Sequence, residues 1–223
     1  MSQAVGELPS AAVIENHLRT CHKQLLAKRL IDVALAIAVL VVLGPILIII
    51  TLLIRRDSPG PALFIQPRWG LQERTFLCYK FRSMHTKPMH TIGAGILREL
   101  QRDGRLMKMD DDLRVTRIGR LIRRTSIDEL PQLWNVLKGE MSIVGPRPLV
   151  IHMLEPYPEI RSLRCKVRPG ITGLWQINDR ANNLHVSSML RYDIEYLENF
   201  SLQLDAKILL RTVRVVISGH GAI

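Results

Sequence analysis

The run KRLIDVALAIAVLVVLGPILIIITLLIRR, residues 28–56, decides how the rest of the chain must be arranged. From Val33 to Ile54 it holds 22 residues without a charge, between Lys28-Arg29 and Arg55-Arg56. As a helix this block is roughly 33 Å long at about 1.5 Å per residue, enough to cross the hydrocarbon core of a bilayer. It is too long, and starts too far from Met1, for a signal peptide. Two features speak against a simple crossing. Gly44-Pro45 lies at its middle, where proline removes a backbone hydrogen bond and bends a helix. Both flanks are basic, and lysines and arginines stay on the cytoplasmic side, so both ends belong on one side. A re-entrant helix–break–helix, broken at Gly44 and Pro45, satisfies both facts; a kinked spanning helix is the competing reading. Arg29 and Asp32, three residues apart at the edge of the block, are expected to pair there.

Outward from this block the chain divides into three parts: an N-terminal surface segment (1–27), the membrane helix (28–56) and a cytosolic-face domain (57–223). Ile14, Leu18 and Leu25 suggest a surface helix in the first part. After Asp57, Pro59-Gly60-Pro61 stops the helix. Ala62–Gln66 and Thr75–Phe81 read as two short strands of a hairpin, with Lys80 and Arg82 on one face. Ile96–Met109 reads as an amphipathic helix, Asp110–Asp112 as the cap of the next, and Leu113–Arg124 as a helix with an arginine stripe. Leu174–Ile177 reads as a short strand. In Asp205–Ile217, Lys207, Arg211 and Arg214 share a face beside an apolar flank, the pattern of an interfacial helix on an anionic leaflet. The fold class expected is mainly α with a short β-hairpin, in a monotopic membrane protein with interfacial amphipathic helices.

The formal net charge of +11 points to anionic partners. Aromatic residues make up 5 %, too few for the stacking platforms of single-stranded nucleic-acid binding. Three cysteines without metal-ligand spacing read as reduced thiols.

The chemistry concentrates in TSIDELPQLWNVLKGEMSIVGPRP, residues 125–148. Asp128 and Glu129 are adjacent carboxylates close to a helix start, for which Ser126 as a capping residue and Pro131 as a first helical residue compete. Helix starts favour anions. A carboxylate beside a phosphate needs arginines and a divalent cation to offset the repulsion, and magnesium takes one or two carboxylates plus phosphate oxygens. Pro146 and Pro148 hold Arg147 in an extended arm that loses little freedom on gripping a phosphate. A membrane-anchored basic binding module without catalysis would account for the charge and the anchor, but not for this dyad or this arm.

These segments, with KRLIDVALA…GP (28–45), YKFRSM (79–84), RPGITGLWQI (168–177) and YDIEYLENFSLQLDAKIL (192–209), resemble the monotopic phosphoglycosyl transferases, bacterial sugar transferases that start glycan assembly on polyprenyl phosphate. The resemblance runs in order from Lys28 to Leu209 and implies a minimal form. Asp128 then matches a nucleophile that attacks the β-phosphate of a UDP-sugar, releases UMP and forms an aspartyl phosphosugar that polyprenyl (undecaprenyl) phosphate resolves. Glu129 matches the magnesium ligand, with Asp128 beside it; manganese is an alternative ion. Arg123, Arg147, Lys80, Arg168 and Asp193 match substrate- or phosphate-binding positions. Gly44-Pro45 matches the helix break, and Arg29 with Asp32 the anchor. The expected partners are a UDP-sugar, polyprenyl phosphate and membrane lipids, not nucleic acid, with a homodimer as an option. The expected location is the bacterial inner membrane, with the domain on its cytosolic face. Asn178-Asp179 departs from the family pattern, where a small residue and glycine are common.

Overall fold

The computed structural model describes residues 11–86, 114–178 and 186–218. The helix expected at Ile96–Met109, the Asp110–Asp112 cap expected for the next helix, and Asp179 lie outside the described residues.

Helix α1 (Ala11–Thr20) buries Ile14 and Leu18, one turn apart. Helix α2 (His22–Asp57) contains the whole apolar block and keeps its helical assignment through Gly44-Pro45, where the sequence suggested helix–break–helix. Only 11 % of its most apolar 18-residue window is buried, so it is not the core helix of a globular domain. It is the one helix among the described residues long and apolar enough to cross a membrane.

The buried side of α2 nevertheless touches protein near both ends. Ala36 packs with Phe76, Cys78, Leu133, Val136 and Met141. Some 14 residues on, Ile50 and Ile54 pack with Ala62, Phe81 and Ile122. Polar contacts pin the two ends. Lys28 Nζ lies 2.6 Å from Asp205 Oδ2. Asp32 accepts from Ser142 Oγ at 2.7 Å and from the Ile143 N–H at 3.1 Å. At the far end Arg82, 5 % exposed, donates to the carbonyls of Ser58 and Pro59, just past the helix, and shares the Ile54 carbonyl with the Ser58 N–H. Arg29 and Asp32 do not pair with each other as expected. Arg29 donates to the Val136 and Leu137 carbonyls, and Lys28 is the near cation of Asp32, at 3.8 Å.

Strands β1 (Leu63–Trp69) and β2 (Thr75–Phe81) form the expected antiparallel hairpin, in register from Leu63↔Phe81 to Trp69↔Thr75. Helix α3 (Arg117–Arg124) starts later than expected, because Val115 is held extended by its bridge to Met84. Thr116 caps it, its Oγ1 accepting from Gly119 N at 2.9 Å. A Cβ at Gly119 would lie 2.0 Å from the Ser83 carbonyl oxygen, so glycine is what lets this helix close on the chain leaving β2. Helix α4 (Gln132–Lys138) ends at Gly139, which takes the left-handed conformation (φ +82°) expected of a helix stop.

Strands β3 (Ser142–Val144) and β4 (Gly170–Thr172) pair in parallel. The pairing demands bare backbone: a Cβ at Gly170 would sit 2.1 Å from Gly145 N. The short helices α5 (Ile151–Leu154) and α6 (Pro158–Arg164) lie between these strands in the chain. Leu174–Ile177, expected as a strand, lies in helix α7 (Leu174–Asn178), whose Leu174, Trp175 and Gln176 are all buried. Helices α8 (Val186–Glu198) and α9 (Leu202–Ser218) complete the fold. The largest core joins α1, α6, α8 and α9 around Leu190, Tyr196, Leu197, Phe200 and Ile208. Part of the predicted apolar flank of α9 is therefore core. Leu210, Val213 and Val216 remain exposed, on the same helix as exposed Lys207, Arg211 and Arg214.

Candidate active site

Helix α3 ends at Thr125, and Ser126 takes the left-handed backbone conformation at φ +56°, unusual for a residue with a side chain. It turns the chain into a single 3-10 turn, Ile127–Glu129. Ser126 Oγ makes no cap bond to that turn, so the capping-box reading fails; Pro131 instead stands at the start of α4. Successive side chains on a 3-10 turn diverge by about 120°. Asp128 is half-buried and Glu129 is 8 % exposed.

Two cations hold Glu129. Its Oε1 accepts from Lys80 Nζ at 2.8 Å and from Arg147 Nη2 at 3.2 Å. Lys80 comes from β2 and Arg147 from the Pro146–Pro148 arm, so two separate elements converge on the carboxylate of a third. Lys80 is thus not on a solvated strand face. A third cation, Arg68 of β1, donates to the Pro148 carbonyl at 3.0 Å and to Gln66 Oε1 at 2.6 Å. Burial, and then the positive field of Arg147, bring the Arg68 guanidinium down to about 10. Three cations gathered near Glu129 suit the turn to a bound phosphate.

The arm carrying Arg147 is clamped along its backbone. Arg164 Nη2 donates to the Arg147 carbonyl, and Asp193 accepts from the Arg147 N–H. Arg164 Nε lies 2.7 Å from Asp193 Oδ2, and both side chains are 5 % exposed. Burial pushes the Asp193 carboxyl up, against the pull of Arg164. The Arg147 guanidinium lies over the Trp175 ring at 5.6 Å. Asp193 therefore acts behind the arm, as a positioning residue.

The other predicted positions divide. Arg123 is half-buried in the last turn of α3, at the entry to the turn bearing Asp128, and makes no ion pair with a described residue. Arg168 is not at the dyad: its Nε donates to the Gly139 carbonyl at 2.8 Å, at the opposite end of α4. With Arg29 on Val136 and Leu137, it satisfies the C-terminal carbonyls of that helix. Arg68, Arg164 and Trp175 were not singled out from the sequence. Asp193 carried a signal for one of them, since an aspartate on an apolar helix face beside Leu190, Ile194 and Leu197 requires a buried cation.

Among the described residues no group of three or more His, Cys, Asp or Glu side chains is placed to hold a metal. The dyad alone offers the one or two carboxylates that magnesium takes when substrate phosphates and water complete its shell, so the donor set fits such an ion. Burial pushes the Cys78 and Cys165 thiols up, which keeps them protonated and inert.

A family model described as bacterial sugar transferase matches residues 23–219. The galactosyl transferase CpsE of Streptococcus agalactiae is 43 % identical over 201 residues, covering 90 % of this chain and 44 % of that protein. The undecaprenyl-phosphate galactose phosphotransferase of Salmonella typhimurium is 38 % identical over 215 residues, covering 94 % and 44 %. The uncharacterized sugar transferase EpsL of Bacillus subtilis is 41 % identical over 197 residues, covering 88 % and 90 %. The chain thus spans less than half the length of some of these relatives and nearly all of another.

Proposed function

The chain belongs to the bacterial sugar transferase family, and from that premise we propose that it is an enzyme transferring a sugar 1-phosphate from a UDP-sugar to polyprenyl phosphate. The observation that carries the reading is the carboxylate turn at 127–129, held by Lys80 and Arg147 beside a membrane-length helix. In this mechanism an Asp128 carboxylate oxygen attacks the β-phosphorus of the UDP-sugar. The bond from that phosphorus to the bridging oxygen breaks, and UMP leaves with the oxygen. A phosphate oxygen of the lipid then attacks the same phosphorus, displacing Asp128 and giving a polyprenyl-diphosphate sugar. Lys80 and Arg147 draw the donor phosphates to the turn and stabilise charge on the oxygens around phosphorus. Glu129 with Asp128 would hold magnesium, which supplies charge neutralisation on the diphosphate.

We place α2 as a re-entrant helix with both ends at the cytosolic face of the inner membrane, and α9 on the leaflet surface through Leu210, Val213 and Val216. This reading is supported by the packing of one domain against α2 at Ala36 and again at Ile50–Ile54. A helix perpendicular to the membrane would carry those contacts, and the charged domain making them, across the bilayer.

The test is release of UMP by the purified chain in nanodiscs with magnesium, over a panel of UDP-sugars. One or more donors should give UMP, and Asp128→Asn should give none. Asp128→Asn releasing UMP at the wild-type rate would remove the nucleophile from the scheme.

A further inference from the structure

A cleft of about 300 Å³ opens beside Glu129 and runs between the 127–129 turn, β4, α7 and α9 to Leu43 of α2. Its walls are mainly apolar, with Ile127, Leu130, Ile171, Ile177 and Val215 contributing. The three threonines lining it add little polarity, and Thr125 Oγ1 donates to the Leu121 carbonyl of its own helix at 3.0 Å. Thr172 Oγ1 and Thr212 Oγ1 are hydrogen-bonded to each other at 2.8 Å, and Thr212 also donates to the Ile208 carbonyl. A hydroxyl pair so engaged needs no water, and a lining of this kind favours hydrocarbon.

The position of the cleft is informative. Leu43 stands immediately before Gly44-Pro45, at the middle of the apolar block, so one end of the cleft meets the part of α2 that lies deepest in the re-entrant placement proposed above. Its other end is bounded by Glu129, whose Oε1 is bonded to Lys80 and Arg147. An occupant matched to both ends has a hydrocarbon chain and a phosphate joined with almost nothing between them. A glycerophospholipid does not meet that demand, because glycerol and two esters separate its phosphate from its chains. A prenyl phosphate does, since its phosphate is attached directly to the first isoprene unit.

We propose that this cleft is the seat of the first isoprene units of the lipid acceptor, leading them from the bilayer beside α2 to the cation cluster. The proposal rests on the acceptor assigned under the function above. The cleft then selects the chain while Lys80 and Arg147 receive the head, and acceptor and nucleotide sugar reach the turn from different sides.

Two measurements on the full chain in nanodiscs test this. Val215→Trp and Ile177→Trp each narrow the cleft from positions outside the dyad. With undecaprenyl phosphate as acceptor, each should raise its KM about tenfold, while the single burst of UMP formed without acceptor stays within about twofold of wild type. The intact burst also shows that the variants are folded. Independently of turnover, a diazirine-bearing short-chain prenyl phosphate should label Leu43, Ile177 or Val215, as mapped by mass spectrometry. Excess undecaprenyl phosphate should suppress that labelling and excess phosphatidylglycerol should not. An unchanged acceptor KM in both variants, labelling confined to other residues, or equal suppression by phosphatidylglycerol would each overturn the proposal; the last would make the cleft a site for ordinary acyl chains. A wild-type chain with no UMP burst from any UDP-sugar would instead strike the proposed reaction, and the labelling would still decide the cleft.

Discussion

Asp193→Asn tests whether the arm bearing Arg147 is held in place by the buried pair behind it. The substitution keeps the shape of the side chain and removes its charge, leaving the Arg164 guanidinium without its counterion at a site where both side chains are 5 % exposed. Removing one partner of a buried pair costs about 3–5 kcal/mol, and the remaining amide acceptor places this case near the lower end. For a chain of this size about 3 kcal/mol corresponds to a fall in Tm of roughly 10 °C. Arg164→Met should fall by a similar amount. Combining Arg164→Met with Asp193→Leu removes both charges and should recover most of the lost stability. Activity should not recover with it. The Arg147 N–H and carbonyl lose their partners in the double variant, and a loosened arm lowers the rate of UMP release by about 100-fold. Thermal unfolding in detergent and UMP release, measured on all four proteins, separate the two effects. A double variant that regains both Tm and activity would refute the clamp, as would an Asp193→Asn protein with unchanged Tm.

Three further outcomes are expected. Lys80→Met removes one of the two cations on Glu129 and should reduce kcat for UMP release by about 100-fold, with a circular dichroism spectrum like wild type. Asp57 accepts from the Ile118 N–H at 3.0 Å; burial opposes its ionisation, but bonds from Thr116 and Ile118 outweigh it and hold the carboxyl below its ordinary 3.8. Its contribution, about 1 kcal/mol for a cap, is therefore complete above that value and lost as pH falls through the depressed one. In acid titration of stability, Asp57→Asn should flatten that limb and lower the neutral plateau. Cysteines introduced at the exposed positions Lys23 and Pro61 should react with an impermeant maleimide from the same side of sealed vesicles, over a low background because Cys21, Cys78 and Cys165 are buried. Labelling from opposite sides would exclude the re-entrant placement of α2.

Much of the site was legible because its residues are adjacent in sequence. Asp128-Glu129, the proline-held Arg147 and Lys80 on its strand were all visible, and the structure joins three of them through Glu129. The long helix and the hairpin were legible from apolar length and turn residues. What escaped depended on partners distant in the chain. Arg29 and Asp32 had spacing for a helix pair, yet each found a better partner in the domain: the Val136 and Leu137 carbonyls at the end of α4, and the chain at Ser142-Ile143. Arg168 resembled a phosphate ligand and proved to close the same helix end. Leu174–Ile177 has the composition of a strand, but three successive side chains in α7 are buried, which a helix enclosed on all sides permits and a half-exposed strand does not. The left-handed turn at Ser126 replaced the capping box because the chain had to reverse between α3 and the dyad.

The pinning of α2 has a mechanical meaning. Lys28 and Asp32 fasten one end to the domain, and Arg82 fastens the other, so the helix has no freedom to change its inclination alone. A membrane that thins or thickens must therefore lift, lower or roll the whole body, and the 127–129 turn rides with it. With α2 in the re-entrant placement proposed above, bilayer thickness becomes a height adjustment for the Asp128 carboxylate proposed as nucleophile, and lipid chain length a variable to which turnover should respond even when every substrate is saturating.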